Sequence, residues 1–215
     1  MIFEASYLTT FPTLLIASDE AGRGPLAGPV VAASVALEVE SPSQLERVIE
    51  GLRSAGVRDS KLLSESLREK LATLPWDKKA LCEVSAQEID ELNILRASLE
   101  GMRRSAEALL RNWKKGPVVW LVDGNRAPKN AMSDWVVHPV VKGDAKSALI
   151  GLASIHAKVH RDQLMRQFEL QYPGYGLAQH AGYPTAQHRA AIAALGPSPI
   201  HRKSFKGVRE YLSRT

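Results

Sequence analysis

Residues 13–28 read TLLIASDEAGRGPLAG, an apolar run that leads into two adjacent acids and a Gly-Arg-Gly turn. The acids Asp19 and Glu20 can hold a hard divalent cation through their carboxylate oxygens. Gly22 and Gly24 let the backbone approach a ligand that a Cβ atom would keep away. Between them, Arg23 adds a planar fork of donors that suits phosphate. Metal ligands, close backbone approach and positive charge in one short segment predict phosphodiester chemistry.

A dinucleotide-binding site is the main alternative for glycines that follow a strand. Gly22, Gly24 and Gly28 resemble a loosened form of that fingerprint, which requires a helix directly after the glycines. Residues 28–37 are instead rich in β-branched side chains and predict a second strand. We therefore disfavour a nicotinamide-dependent oxidoreductase and expect residues 13–18 and 28–37 to form an antiparallel hairpin. The alternative that these residues form only a glycine-rich hairpin with two solvated acids is not excluded by this segment alone.

The composition predicts one soluble globular domain with a basic surface. Lys and Arg outnumber Asp and Glu by 28 to 23 among 215 residues, which favours a polyanionic partner such as nucleic acid. Because Cys82 is the single cysteine, an intramolecular disulfide or a cysteine metal cluster is excluded. The sequence shows no signal peptide and no apolar span of about 20 residues. We therefore expect a cytoplasmic protein without a membrane segment.

The hydrophobic pattern predicts an α/β fold, a mixed β-sheet flanked by helices, because strands come first and then alternate with helices. Further strands are expected over residues 79–86, 117–122 and 135–141. Helices are expected over residues 42–54, 64–74, 85–113 (with a break allowed at 92–93), 146–168 and 185–195, and from Gly207 in the basic tail. Residues 174–184 are expected to be irregular.

Acidic residues stand at the ends of three predicted strands. Asp19 and Glu20 follow the first strand, Asp123 follows the fourth, and Asp144 follows the fifth. Sites in α/β sheets gather where strands end, and carboxylates this close would raise one another's pKa. Two Mg²⁺ or Mn²⁺ ions would relieve that repulsion and support an in-line phosphoryl displacement. Taken singly, Asp123 also fits an Asp-Gly turn and Asp144 a helix N-cap.

Six motifs occur in order along the chain. They are DEAGRGPL at 19–26, DSK at 59–61, VDGN at 122–125, VKGD at 141–144, ASIHAKVHRD at 153–162 and GYPT at 182–185. Together they resemble the ribonuclease HII family, and the resemblance runs from about residue 13 to residue 208. Ribonuclease HIII is disfavoured, because its turn usually carries Lys where Arg23 stands.

The resemblance implies a ribonuclease H-like catalytic domain over residues 1–170 and a small C-terminal helical extension over residues 171–215 that completes the substrate groove. It implies a metal-dependent endoribonuclease that hydrolyses RNA in RNA·DNA hybrids. It further implies nicking of ribonucleotide-containing DNA duplexes on the 5′ side of the ribonucleotide, which leaves 3′-hydroxyl and 5′-phosphate ends. The expected setting is DNA repair and replication, and the expected state is a monomer.

The same resemblance assigns roles to single residues. Asp19, Glu20, Asp123 and Asp144 are the implied catalytic acids and metal ligands. Asp19 would bridge both ions, Glu20 and Asp123 would hold one, and Asp144 would hold the other.

Recognition of the 2′-hydroxyl, the group that distinguishes RNA from DNA, is implied for the backbone of Gly22, Arg23 and Gly24 and for Tyr183. A tyrosine that merely covers the core is the alternative. Candidate phosphate contacts are the side chains of Arg23, Lys61, Lys146 and Lys158, with residues 201–203 as a further candidate. Solvated basic side chains are the alternative for these.

Some residues depart from the family pattern. Arg58 stands where Asn is usual, Ala145 where Ser is common, and Gly151-Leu152 where the family has Ser-Ala. Since all four acids and the tyrosine are present, we predict activity, with a catalytically silent binder of hybrid duplexes as the alternative. His156 and His160 have the spacing of a zinc pair but lack its accompanying Glu, and we interpret them as ordinary helix residues.

Overall fold

A five-stranded mixed sheet, in the order β3-β2-β1-β4-β5, forms the centre of the computed structural model. The structure describes residues 2–58, 60–110, 113–129, 132 and 134–214. The strands are β1 (Thr13–Ala21), β2 (Val30–Val39), β3 (Lys79–Val84), β4 (Val118–Asp123) and β5 (Trp135–Val140). β1 pairs antiparallel with β2 and parallel with β4, and β4 pairs parallel with β5. The carboxyl ends of β1, β4 and β5 therefore meet at one edge of the sheet.

Helices cover both faces of this sheet, so the predicted fold class is confirmed. They are α1 (Pro42–Ser54), α2 (Glu65–Ala72), α3 (Ala86–Leu92), α4 (Ile94–Glu107), α5 (Gly143–Lys146), α6 (Ala148–Gln171), α7 (Leu177–His180) and α8 (Ala186–Leu195). Short 3₁₀ turns span Phe3–Tyr7, Ser60–Leu62, Ala108–Leu110 and Arg209–Arg214. None of the helices in the described part of the chain is long and apolar enough to cross a membrane.

Side chains of β1 alternate between two cores, as the two-residue period of a strand requires. Leu15 and Ala17 enter the core that contains α1 and α6. Leu14 and Ile16 enter the opposite core, under α4. Asp19 continues the first set, which directs its side chain toward the face covered by α6.

The predicted elements differ from the observed ones mainly at their ends. β1 continues through the two acids, because Ala21 still pairs with Val31 of β2. The break allowed within the long helix is confirmed at Asn93, which has a φ of 67° and caps the next helix through its side chain. Residues 111–112 at the end of that predicted helix lie outside the described residues.

Two short helices were not predicted. α5 precedes the long helix α6, and α7 lies within the segment expected to be irregular. Both contain four residues, too few for a hydrophobic period to show in the sequence.

The C-terminal residues pack on the turn between β1 and β2. Leu26 and Ala27 of that turn share one core with Met165 of α6, Leu177 of α7 and Ile192 of α8. The backbone is joined as well, because Leu26 donates to the Gly182 carbonyl at 2.8 Å and Arg202 donates to the Leu26 carbonyl at 2.8 Å. The conformation of the Gly-Arg-Gly turn therefore depends on residues far along the chain.

Candidate active site

The four predicted acids lie at the edge of the sheet where the parallel strands end. Asp19 and Glu20 stand near the end of β1, Asp123 is the last residue of β4, and Asp144 lies in α5, directly after β5. Asp19 and Asp144 are almost fully buried, with 4% and 6% of their surfaces exposed. The sheet thus brings together acids that are more than 100 positions apart in the sequence.

The negative charges of these four carboxylates repel one another, so that the charge of one acid raises the pKa of a neighbouring acid in the site. Burial, followed by the charges of Glu20 and Asp123, holds the pKa of Asp19 well above its usual range. Burial raises the pKa of Glu20, and the charge of Asp123 raises it further. Burial also raises the pKa of Asp123, and the charge of Asp144 adds to that shift. Repulsion between buried acids costs free energy that a bound cation removes.

Each carboxylate is held in place by neighbouring groups. Asp19 accepts a hydrogen bond from the Glu20 amide at 2.7 Å and one from the side chain of Ser154 on α6. Asp123 accepts from the Gly143 amide at 2.7 Å, which joins α5 to the end of β4. A Cβ atom at position 143 would lie 2.6 Å from the end of the Ile150 side chain and 3.0 Å from Oδ1 of Asp123, so a larger residue would crowd this junction.

Two basic side chains form ion pairs with acids of the site. Lys61 donates to Asp144 at 3.2 Å across a sequence separation of 83 residues. Arg23 donates to Glu20 at 3.4 Å. Asp59, which belongs to the same motif as Lys61, lies outside the described residues.

The donor set of this site fits a divalent metal. All four groups are carboxylates, the hard oxygen ligands that Mg²⁺ and Mn²⁺ prefer, and three of them have pKa values raised by burial and mutual repulsion. Within the described ranges, no three acidic, histidine or cysteine side chains converge closely enough to hold one ion.

Tyr183 lies against the Gly-Arg-Gly turn. A Cβ atom built on Gly24 would be 3.5 Å from the Tyr183 ring, and 43% of the tyrosine is exposed. The Tyr183 ring therefore lies at the turn and is accessible from outside the core.

A relay of buried histidines, which the sequence did not reveal, holds the backbone of Tyr183. The Ser198 amide donates to Nδ1 of His201 at 3.0 Å, so His201 carries its proton on Nε2 and donates it to Nε2 of His188 at 3.1 Å. His188 then carries its proton on Nδ1 and donates to the Tyr183 carbonyl at 3.0 Å. Burial lowers the pKa of His201 to about 4 and also lowers that of His188, so both are neutral at pH 7.

The other basic residues that were predicted as phosphate contacts lie farther along the chain, and their exposure differs. Lys146 ends α5 and is exposed two residues after Asp144. Lys158 is half-buried on α6 and pairs with Asp162 at 2.7 Å. Residues 201–203 were predicted to contact the phosphate backbone of the nucleic acid. This prediction is wrong for His201 and Arg202, which expose only 1% and 0% of their surfaces.

The departures from the family pattern lie behind or beside the acids. A Cβ atom on Gly151 would be 3.2 Å from the Asp144 carbonyl, so glycine gives α6 room to approach α5. Leu152 is fully buried in the core beneath the site. Ala145 is exposed and donates its amide to Asp144 at 3.0 Å.

His156 and His160 do not form a metal site within the described residues. His156 is buried, and its Nε2 atom has no partner in the described chain. His160 bonds to Glu83 at 2.7 Å.

We expect Gly22→Ala to destabilise the protein by about 2 kcal/mol or more. Gly22 has a φ of +98°, and a Cβ atom there would lie 2.0 Å from Nε of Arg161. Urea unfolding of the variant measures the loss. The matched control is Gly51→Ala in α1, where a Cβ atom meets nothing within 4 Å and stability should rise by about 0.5–1 kcal/mol. Equal free energies of unfolding for the two variants would contradict the contact.

The strand order, the acids at its edge and the basic side chains beside them define a nuclease with a ribonuclease H fold. The solved ribonuclease H2 from Pyrococcus horikoshii matches this structure with a TM-score of 0.67 and 26% identity, over 94% of this chain and 98% of that one. The family model of ribonuclease HII matches residues 16–208, and the chain belongs to that family.

Two close relatives bear the same name. The ribonuclease HII of Albidiferax ferrireducens is 45% identical over 98% of this chain and 95% of its own length. That of Nitrosococcus oceani is 46% identical over 90% of this chain and 89% of its own length. The protein is therefore an endoribonuclease that acts on RNA in RNA·DNA hybrids, as the sequence predicted.

Proposed function

We propose that this enzyme nicks duplex DNA on the 5′ side of a single embedded ribonucleotide and leaves 3′-hydroxyl and 5′-phosphate ends. The observation that supports this is the position of the exposed Tyr183 ring beside Gly24, 3.5 Å from where a Cβ atom would stand, next to the acids of β1. Turn and acids are adjacent in sequence, since Gly22 follows Glu20 by two positions. Because the groups that would recognise a 2′-hydroxyl lie so close to the catalytic acids, a single ribonucleotide in the duplex is enough to direct cleavage.

In this proposal, Asp19, Glu20, Asp123 and Asp144 hold two divalent ions, Mg²⁺ or Mn²⁺. Such ions supply an activated water and stabilise the leaving 3′-oxygen. Asp19 is central, because its pKa responds to both Glu20 and Asp123. Gly143 fixes Asp123, and Ala145 fixes Asp144. The oxygen of a water molecule would form a bond to phosphorus while the bond to O3′ breaks. The water would lose a proton and O3′ would gain one, which yields the 5′-phosphate and the 3′-hydroxyl.

Substrate positioning is proposed for the backbone of Gly22-Arg23-Gly24, for Tyr183, and for Lys61, Lys146 and Lys158. Lys61 and Arg23 already lie on acids of the site, where each can also meet a phosphate oxygen. We further propose that residues 1–170 carry the catalysis and that residues 171–215 complete the groove, as the shared core around Leu26 supports. The working unit in this proposal is a monomer.

Duplex binding should weaken steeply with salt. Four phosphate contacts by Arg23, Lys61, Lys146 and Lys158 predict a slope of log K against log salt of about −3.6. Replacing the exposed Lys146 by Met should make the slope shallower by about 0.9. Fluorescence anisotropy in EDTA measures both. Lys78→Met is the control, because Lys78 pairs with Glu38, and its slope should not change. A slope near zero in the native protein would contradict the phosphate contacts.

A DNA duplex with one ribonucleotide and a labelled 5′ end tests the proposed cut. We expect a nick directly 5′ of the ribonucleotide with Mg²⁺ or Mn²⁺, none with EDTA, and none in an all-DNA duplex of the same sequence. Mapping both product ends checks the chemistry. Cleavage restricted to long runs of RNA, or cleavage of the all-DNA control, would contradict the proposal.

A further inference from the structure

Two arginines are buried beneath the turn that joins β1 to β2. Arg161 of α6 exposes 1% of its surface and Arg202 exposes 0%. Burial lowers the pKa of Arg161 to about 10, and burial together with Arg161 lowers that of Arg202 to about 9. Both therefore stay charged at neutral pH, yet neither forms an ion pair with an acid of the described residues. Two adjacent buried cations without such a partner are costly unless every donor is satisfied.

Each nitrogen atom of both guanidinium groups donates to a backbone carbonyl, and all but one of these carbonyls belong to the turn. Arg202 donates to the carbonyls of Gly22 at 2.6 Å, Arg23 at 3.0 Å and Gly28 at 3.0 Å.

Arg161 holds the other end of the same segment. It donates to the carbonyls of Ala27 at 3.2 Å and Pro29 at 3.1 Å, and to that of Ala181 at 3.0 Å. The same side chain occupies the space that a Cβ atom of Gly22 would need.

The planarity of the peptide group determines what Arg202 does to the turn. The carbonyl of Gly22 and the N–H of Arg23 belong to one trans peptide and point in opposite directions, and so do the carbonyl of Arg23 and the N–H of Gly24. Since Arg202 holds both carbonyls inward, both N–H groups point outward. Neither N–H group donates to another backbone group of the described chain.

We propose that Arg202 is a positioning residue that presents the amides of Arg23 and Gly24 to the substrate. Its guanidinium fixes two successive peptide planes, and its buried charge favours an electron-rich or anionic group at their N–H ends. The inference rests on the proposed function, in which this turn reads the 2′-hydroxyl. It adds that recognition depends on a residue in the C-terminal segment that never touches the substrate.

Arg202→Lys tests the inference, because lysine keeps the charge but cannot span three carbonyls. Binding is measured in EDTA to a duplex with one ribonucleotide and to the matching all-DNA duplex. We expect the native preference for the ribonucleotide to fall toward unity, while all-DNA binding changes less than about twofold, since phosphate contacts are kept. Cleavage efficiency at the ribonucleotide should fall about 100-fold, as for a misplaced recognition group.

Arg166→Lys is the matched control, because Arg166 is a half-exposed residue of α6 paired with Glu65 and Glu69. Its preference and its cleavage efficiency should equal those of the native protein. A folded Arg202→Lys protein with an unchanged preference, or with equal losses for both duplexes, would overturn the inference. Failure of the proposed function would be seen separately, as native protein that shows no preference and makes no nick.

A measurement on the native protein covers the case in which Arg202→Lys does not fold. The backbone amides are labelled with ¹⁵N, and each duplex is added in EDTA. We expect the resonances of Arg23 and Gly24 to shift more with the ribonucleotide duplex than with the all-DNA duplex. Equal shifts with both would overturn the inference.

Discussion

Asp19→Asn is expected to lower the rate of cleavage by more than about 1,000-fold, because a ligand shared by both proposed ions is lost. Asp19 is the acid whose pKa responds to both Glu20 and Asp123, which places it electrostatically between the other acids. Single-turnover cleavage of the ribonucleotide duplex measures the loss. Duplex binding should stay close to native, since the phosphate contacts are made by other residues.

The same variant should be more stable than the native protein when no metal is bound. The pKa of Asp19 is raised in the folded state, above about 3.9 in the unfolded chain. Stability that is fully present below the unfolded pKa is therefore lost as the pH rises through the folded value. Asparagine does not ionise, so its advantage in EDTA should be largest at pH 8 and absent below about pH 4.

Asp77→Asn is the control for both effects, because Asp77 is an exposed aspartate in the segment before β3. Activity and unfolding should be native at every pH. Native activity in Asp19→Asn would contradict the catalytic assignment. A loss of activity with lower stability at pH 8 would instead indicate a structural role.

Tyr183→Ala should reduce cleavage at a single ribonucleotide about 100-fold, while all-DNA binding changes less than about threefold. The ring lies against Gly24 and is 43% exposed, so its removal opens little core. The backbone should keep its place because His188 holds the Tyr183 carbonyl. Cleavage kinetics and binding in EDTA together measure the difference.

Tyr183→Phe separates the role of the Tyr183 ring from that of its hydroxyl group. It keeps the ring beside Gly24 and loses only the hydroxyl, so its loss of cleavage should lie between those of the native protein and Tyr183→Ala. Equal losses in cleavage and in all-DNA binding for Tyr183→Ala would mean that the residue only supports the fold.

The position of the acids could be predicted because it follows from local pattern. The apolar run of β4 is buried throughout and ends at Asp123, and acids at the ends of parallel strands must meet at one edge. The break at Asn93 was predictable for the same local reason. The extent of β1 was not, because pairing of Ala21 with Val31 decides it.

The buried residues that hold the turn between β1 and β2 and the Tyr183 backbone in place could not be predicted from the sequence. His201 and Arg202 belong to a basic tail, a kind of segment that is usually solvated, and they were predicted as candidate contacts with the phosphate backbone. Contacts with the turn about 180 positions earlier bury Arg202, and a bond to His188 buries His201. Lys61 could be proposed as a phosphate contact, but its pairing with Asp144 depends on the tertiary fold.

Calorimetric titration of Mn²⁺ into the native protein, Asp19→Asn and Asp77→Asn tests most directly whether the acidic edge of the sheet is the metal-dependent centre. We expect saturable binding to the native protein and to Asp77→Asn, and loss of that binding in Asp19→Asn. Identical titrations for all three proteins would contradict it.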